Sequence, residues 1–245
     1  MSEGRRPADP SHLDRRSFVK LGGLGAAAAA TGATACAPDG TPGSASDTEA
    51  WWVDEAFELE EMTIAEMADA MNSGERTSVG ITRLYLDRIA ALDRDGPRLR
   101  SVIETNPDAL DIARVLDDER VATGARGPLH GVPIIVKDNI DTADAMTTTA
   151  GSFALEGHIA ARDSHVVAKL REAGAIILAK ANLSEWANIR STASTSGWSG
   201  RGGQCGNAFA VDRNPCGSSS GSGASVSANF CAAAIGTETD GSIVC

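Results

Sequence analysis

Aromatic side chains are scarce: Phe, Trp and Tyr make up 4% of the 245 residues. Any core must therefore be built from Ala, Val, Ile and Leu. No Cys-x-x-Cys pair occurs among the five cysteines, Cys36, Cys205, Cys216, Cys231 and Cys245. The ligand spacing of a structural zinc site is thus missing, and no metal is expected. Disulfide pairing cannot be read from these positions. Histidine is rare as well. His12, His130, His158 and His165 all precede the serine-rich part of the chain and read as surface or loop residues. Positive charge is in deficit, with a formal net charge of -11, which argues against nucleic acid or an anionic membrane as partner. Long apolar runs are missing too: the stretch 21–30 is too short and too rich in Gly and Ala to span a bilayer.

What the first part of the chain does contain is an address. Asp14-Arg15-Arg16-Ser17-Phe18-Val19-Lys20 places an arginine pair before that weakly apolar stretch. The pattern resembles a twin-arginine export signal over residues 1–36, implying a periplasmic, cell-surface or extracellular location. The segment ends Ala33-Thr34-Ala35-Cys36-Ala37-Pro38. This resembles a lipoprotein cleavage site with Cys36 acylated, the one route to membrane attachment, but Ala33 stands where a large aliphatic residue is usual. An ordinary peptidase site nearby fits equally well. Residues 37–61, rich in Pro, Gly, Ser, Asp and Thr over 38–50, are expected to be a linker.

Residues 62–245 read as one α/β domain. Thr63 and Glu66 have capping-box spacing, with Ile64, Met67, Ala68 and Met71 on one helical face and Gly74 as the stop. Ser78 is expected to cap a second helix that turns Ile81, Tyr85, Ile89 and Leu92 inward. A short strand at 100–105 precedes a third helix opened by Pro107. The run Ile134-Ile135-Val136 reads as a buried strand, 163–173 as a helix and 175–179 as another strand. Strands alternating with helices predict a sheet with a substantial parallel portion. From Gly197 through Gly223, Gly, Ser, Thr and Asn dominate, and the segment is expected to be a functional loop.

Three places carry chemistry. Lys137 ends the apolar run, where a desolvated amine can lose its proton and act as a base; snorkelling or pairing with Asp138 are the plainer readings. Gly217-Ser218-Ser219-Ser220-Gly221 contains G-x-S-x-G around Ser219, yet it lacks both the preceding strand and the later histidine of a nucleophile elbow. Gly236-Thr237-Glu238-Thr239-Asp240-Gly241-Ser242-Ile243 is an apolar segment entering a tight turn that presents one serine. Consecutive N–H groups in such a turn can form an oxyanion hole.

Together these three motifs, in this order, resemble the amidase-signature family. Gly131 to Asn139 matches its lysine motif, and the segments around Ser218 and Ser242 match its two serine motifs. The resemblance implies that fold, a mixed β-sheet core covered by helices on both faces, with this chain as its N-terminal part. It implies a Ser-Ser-Lys triad: Ser242 attacks a carboxamide carbonyl, Ser218 relays the proton, and Lys137 is the neutral base. It further implies a cis Gly217–Ser218 bond, Ser219 as support for Lys137, and an oxyanion hole from the N–H groups of Thr239, Asp240, Gly241 and Ser242. No metal or organic cofactor is implied. Asp240 and Val244 depart from the glycine and arginine common in the family.

Ser184-Glu185-Trp186-Ala187-Asn188 and the Ser242 motif are similar to those of bacterial peptide amidases, which points to C-terminal peptide amides as substrate. Two alternatives remain: the transamidating subunit, of the A type, from a tRNA-dependent amidotransferase, and a non-catalytic binding protein on the same fold. The segment on its own is expected to fold poorly and to be inactive.

Overall fold

The computed structural model describes residues 57–245. The opening helix, α1 (Ile64–Ser73), begins and ends as its sequence dictates. Thr63 accepts from the Glu66 N–H and the Glu66 carboxylate accepts from the Thr63 N–H, while Gly74 closes the helix at φ +78°. Helix α2 (Ser78–Ile89) runs on through a π-type turn at Ala90–Arg94. Its cap is Thr77, whose hydroxyl accepts from the Gly80 N–H at 3.0 Å, and not Ser78 as expected. Ser78 instead lies inside, with its N–H on Asp117. Ile81, Tyr85 and Ile89 face the core as the periodicity predicts.

Strand β1 (Val102–Thr105) starts two residues later than expected, because Arg100 takes a left-handed bend at φ +52° and Asp93 pins the Ser101 N–H. It is followed by α3 (Ala109–Thr123), β2 (Pro133–Lys137), α4 (His165–Glu172) and β3 (Ile176–Ala181). Two residues pairs farther on, Trp198–Ser199 (β4) and Gly203–Gln204 (β5), form a short hairpin of their own. The last strand, β6 (Ala233–Ile235), joins a four-stranded sheet of order β1-β3-β2-β6. β2 lies parallel to both β3 and β6, and β1 is antiparallel to β3. Every residue of β2 and β3 is buried, which is why both read as continuous apolar runs up to a single lysine, Lys137 or Lys180, instead of alternating ones.

Two further expectations need correction. Residues 57–61 are not linker: Leu59 is fully buried in the core, and Phe57 packs on Tyr85 beneath Arg88. The Gly/Ser-rich stretch is not all loop either, since residues Ser220–Ser227 form helix α5. Its composition, with two glycines and four serines, opposes a helix by intrinsic preference. Packing overrides this. A Cβ on Gly221 would stand 2.2 Å from the Ser101 carbonyl oxygen and 2.5 Å from that of Asn182, so only glycine lets the helix sit so close. Gly221 N–H donates to Asn182 O, and the hydroxyls of Ser222 and Ser225 donate to Ile235 O and Ser101 Oγ.

Candidate active site

Parallel strands β2 and β6 deliver two of the three motifs side by side: Val136 pairs with Ile235, and the chain then turns through Gly236 and Thr237. Lys137 ends β2 with no solvent exposure. Its Nζ lies within hydrogen-bond distance of Ser218 Oγ (2.7 Å), Ser219 Oγ (3.0 Å), Thr237 Oγ1 (3.0 Å) and Thr237 O (3.2 Å). Burial alone lowers its pKa from 10.5 to about 8. Lys137 therefore neither snorkels nor pairs with Asp138. The Asp138 carboxylate accepts from Thr149 Oγ1 and from the Gly151 N–H at 3.0 Å, and burial raises its pKa.

Ser218 and Ser219 stand at the start of α5, after a cis Gly217–Ser218 peptide. Ser218 is fully buried, and its carbonyl accepts from the Ser184 N–H. Ser219 is fixed by a reciprocal pair: its hydroxyl donates to Thr237 O at 3.1 Å and accepts from the Thr237 N–H at 3.2 Å. Its own N–H donates to Ser242 O at 3.0 Å, which ties the two serine motifs together.

Ser242 is half-buried at the mouth of a recess of about 170 Å³ lined by Pro215, Gly217, Ser219 and Cys245 among others. Among the described residues, its hydroxyl makes no hydrogen bond to Ser218 or Lys137. The turn around it is organised by Glu238. That carboxylate accepts the N–H groups of Gly241 (2.8 Å), Ile243 (2.9 Å) and Val244 (3.1 Å). Of the four N–H groups expected to face an oxyanion, that of Gly241 is thus already engaged. Those of Thr239, Asp240 and Ser242 make no hydrogen bond among the described residues, and Thr239 and Asp240 are exposed.

Several contributors escaped the sequence. Thr237 lies within a noted motif, but only folding shows that it contacts Lys137 through both its carbonyl and its hydroxyl. Asn139, two residues after the lysine, donates to Thr237 Oγ1 at 3.0 Å. Lys180, on the neighbouring strand β3, is fully buried, with Nζ on Ile140 O (2.6 Å) and Thr148 Oγ1 (2.8 Å); burial lowers its pKa to about 8. His130 is a core residue and not a surface one: its Nε2 lies 2.8 Å from Leu116 O, while Nδ1 accepts from the Arg126 N–H. Nε2 is therefore the protonated nitrogen. Finally, Cys216 and Cys245 form a disulfide, with Cα atoms 6.1 Å apart, whereas Cys205 and Cys231 are buried thiols.

A buried lysine, two serines at a helix start and a third on an adjoining turn bring the three sequence motifs to one place. The chain belongs to the amidase family, whose model matches residues 80–245. A Schizosaccharomyces pombe (strain 972) protein that carries the name amidase is 51% identical over 186 residues, covering 76% of this chain and 31% of that protein. The crystal structure of native peptide amidase from Stenotrophomonas maltophilia is 55% identical, with a TM-score of 0.76, over 78% of this chain and 39% of that one. A glutamyl-tRNA(Gln) amidotransferase polypeptide of Thermobifida fusca (strain YX), of the A type, is 42% identical over 187 residues, 76% of this chain and 36% of that protein. The chain spans about a third of the length of these relatives.

Proposed function

We propose that this protein hydrolyses carboxamide C–N bonds through an acyl-enzyme on Ser242, and that C-terminal peptide amides are its substrates. The observation that carries the reading is Lys137 Nζ at 2.7 Å from Ser218 Oγ, in a site where burial favours the neutral amine. A neutral amine has two N–H groups and one lone pair. Ser219 spends its proton on Thr237 O, so it can only accept from Lys137. Thr237 O can likewise only accept. When the two N–H groups go to Ser219 and Thr237 O, with the Thr237 hydroxyl turned to Asn139 as a further neighbour at 3.0 Å, the lone pair is left for the Ser218 hydroxyl proton.

The mechanism follows from that directionality. Ser218 gives its proton to Lys137 as it takes one from Ser242, and Ser242 Oγ attacks the amide carbon. The unengaged N–H groups at Thr239, Asp240 and Ser242 stabilise the developing oxyanion. The protonated lysine then returns its proton through Ser218 to the leaving amine, and water releases the acyl group by the same path. Ser242 approaches Ser218 on substrate binding, since catalytic hydrogen bonds are often long before the substrate arrives.

The peptide-amide assignment is supported by the 55% identity with a peptide amidase, against 42% with the amidotransferase polypeptide. It is also supported by a largely apolar cavity of about 320 Å³ between Asn139, Leu155, Trp186 and Ile189, suited to a substrate side chain. An exported location through residues 1–36, with lipidation at Cys36 open, suits that substrate; both features lie outside the described residues. The test is fluorophosphonate labelling of the full-length protein, followed by hydrolysis of amidated peptides beside simple amides. Labelling at Ser242 with ammonia release from peptide amides is expected. A protein never labelled at Ser242 defeats the hydrolase reading, and activity confined to simple amides defeats the narrower one.

A further inference from the structure

We propose that Asn139 is a positioning residue for the base: its side-chain amide holds the Thr237 hydroxyl proton away from Lys137 and so reserves the lysine's lone pair for Ser218. The effect on acylation rests on the reading of Ser242 as nucleophile; the effect on Lys137 itself does not.

Of the oxygens around Lys137 Nζ, two have no proton to give. Thr237 O is a carbonyl, and Ser219 Oγ donates its own proton to that carbonyl at 3.1 Å. The other two, Ser218 Oγ at 2.7 Å and Thr237 Oγ1 at 3.0 Å, are hydroxyls. Either is able to place its proton on the lone pair of a neutral amine, and one lone pair serves one of them at a time. Ser218 holding it is the productive arrangement, because Ser218 stands between the lysine and Ser242 in the relay. Thr237 holding it occupies the base without moving any proton. Burial, and no neighbouring charge, lowers the Lys137 pKa, so the orientation of these hydroxyls is what remains to tune it.

Asn139 makes the choice. Both ends of its amide lie at Thr237 Oγ1: Oδ1 accepts the hydroxyl proton at 3.4 Å, and Nδ2 donates to the oxygen at 3.0 Å. With its proton on Asn139, Thr237 Oγ1 turns a lone pair to Lys137. That orientation favours the ammonium that forms when Ser218 gives up its proton, and it offers nothing to the lone pair of the neutral amine. The turn that carries Asn139 is pinned on both sides. The Asp138 N–H donates to Ala181 O at 3.0 Å, and Ile140 O accepts from Lys180 Nζ at 2.6 Å, both on β3. Thr237 comes close enough because residue 236 is glycine. A Cβ there would stand 2.8 Å from Ser219 Oγ and 2.9 Å from Ser219 Cβ, driving the end of β6 away.

In Asn139→Ala the Thr237 hydroxyl is released to the lone pair. This contact exists only with the neutral amine, so it draws Lys137 toward the neutral form while making that form unproductive. The experiment measures fluorophosphonate labelling of Ser242 in the full-length protein from about pH 6 to 10. In Asn139→Ala the plateau rate should fall on the order of tenfold, the effect of one orienting hydrogen bond on a two-way choice. The rising limb should move to lower pH, so that variant and wild type converge at low pH. Adding Thr237→Val removes the competing hydroxyl and should restore most of the lost rate. Asn139→Asp keeps an acceptor for Thr237 and should keep the plateau, while its charge moves the limb to higher pH. NMR of isotope-labelled lysine follows the Lys137 pKa in the same proteins, its signal identified by its loss in Lys137→Arg. That pKa should fall in Asn139→Ala and rise again with Thr237→Val. Identical profiles for Asn139→Ala and wild type would overturn the proposal. So would a slowed Asn139→Ala whose limb shifts to higher pH, or that Thr237→Val fails to rescue, since those mark a site merely opened to water. If the wild type is never labelled at Ser242, the hydrolase reading fails, and the Lys137 pKa by itself decides whether Asn139 directs the hydroxyl.

Discussion

Lys137 Nζ lies 2.7 Å from Ser218 Oγ, and neither side chain touches solvent. The pair sits where strand β2 meets the start of helix α5, 81 residues apart in sequence. Because burial and not a neighbouring charge sets the lysine's pKa, its proton affinity depends on the site staying closed.

Removing either member should therefore cost general-base catalysis. Ser218→Ala and Lys137→Ala are expected to lower kcat/KM for a peptide amide by roughly 10²–10⁴-fold. Lys137→Arg should do no better, since a guanidinium does not give up its proton. Steady-state hydrolysis, with circular dichroism to check folding, decides the point. Wild-type rates in Ser218→Ala would remove the relay.

Acylation should rise with pH. With Lys137 at about 8, the neutral fraction increases about tenfold per pH unit below that value and levels off above it. Fluorophosphonate labelling rates measured from about pH 6 to 10 should trace this limb. A rate that falls over the same range would contradict a neutral lysine base.

Stability should show the same sign in a different window. Lys137 and Lys180 each have a folded pKa of about 8 against the ordinary lysine value of 10.5. Between those values the unfolded chain binds more protons, so stability rises with pH. Below about 8 both states are protonated and the cost of the buried charge is fully present. Lys180→Met should flatten this rise between about pH 8 and 10 in thermal melts, although it also removes the hydrogen bond to Ile140 O.

Glu238 should matter through the turn it organises. Glu238→Ala leaves the Gly241, Ile243 and Val244 N–H groups without their acceptor and is expected to weaken the turn by on the order of 1 kcal/mol. Hydrogen exchange at 241–245 should speed up and Ser242 labelling should slow, with little change in the global melt. A lowered melt with unchanged local exchange would place Glu238 outside this role.

Gly221→Ala tests the packing of α5. A methyl 2.2 Å from the Ser101 carbonyl oxygen meets backbone and cannot be accommodated by a flexible side chain. The expected loss is at least about 2 kcal/mol, although alanine is the better helix former. Denaturant titration should show the midpoint fall; a stabilised variant would mean the helix sits farther from β1 than described.

Much of this is legible from local signals. The Thr63–Glu66 box, Gly74 and the apolar runs of β2 and β3 report hydrogen bonds and burial that a few consecutive residues encode. Lys137 stands out because a lysine after Val132-Pro133-Ile134-Ile135-Val136 breaks an apolar run. Lys180 does the same after Ile176-Ile177-Leu178-Ala179, yet a strand expected to stop at Ala179 leaves it outside. Thr77, one residue from the expected cap, shows how adjacent Thr and Ser offer the same hydroxyl to a helix start.

The order of motifs, the helix caps and the buried strands were determined by the sequence itself, since each depends on neighbours within a turn or two of chain. The tertiary structure decided the rest. It made a helix of Ser220–Ser227, took His130 into the core, joined Cys216 to Cys245, and set Lys137 against Thr237. In most of these cases the deciding partner is far away along the chain: Asn182 for Gly221, Leu116 for His130, Thr237 for Lys137. Such contacts form only when strands pair and backbones approach, and no local pattern of residue types encodes them.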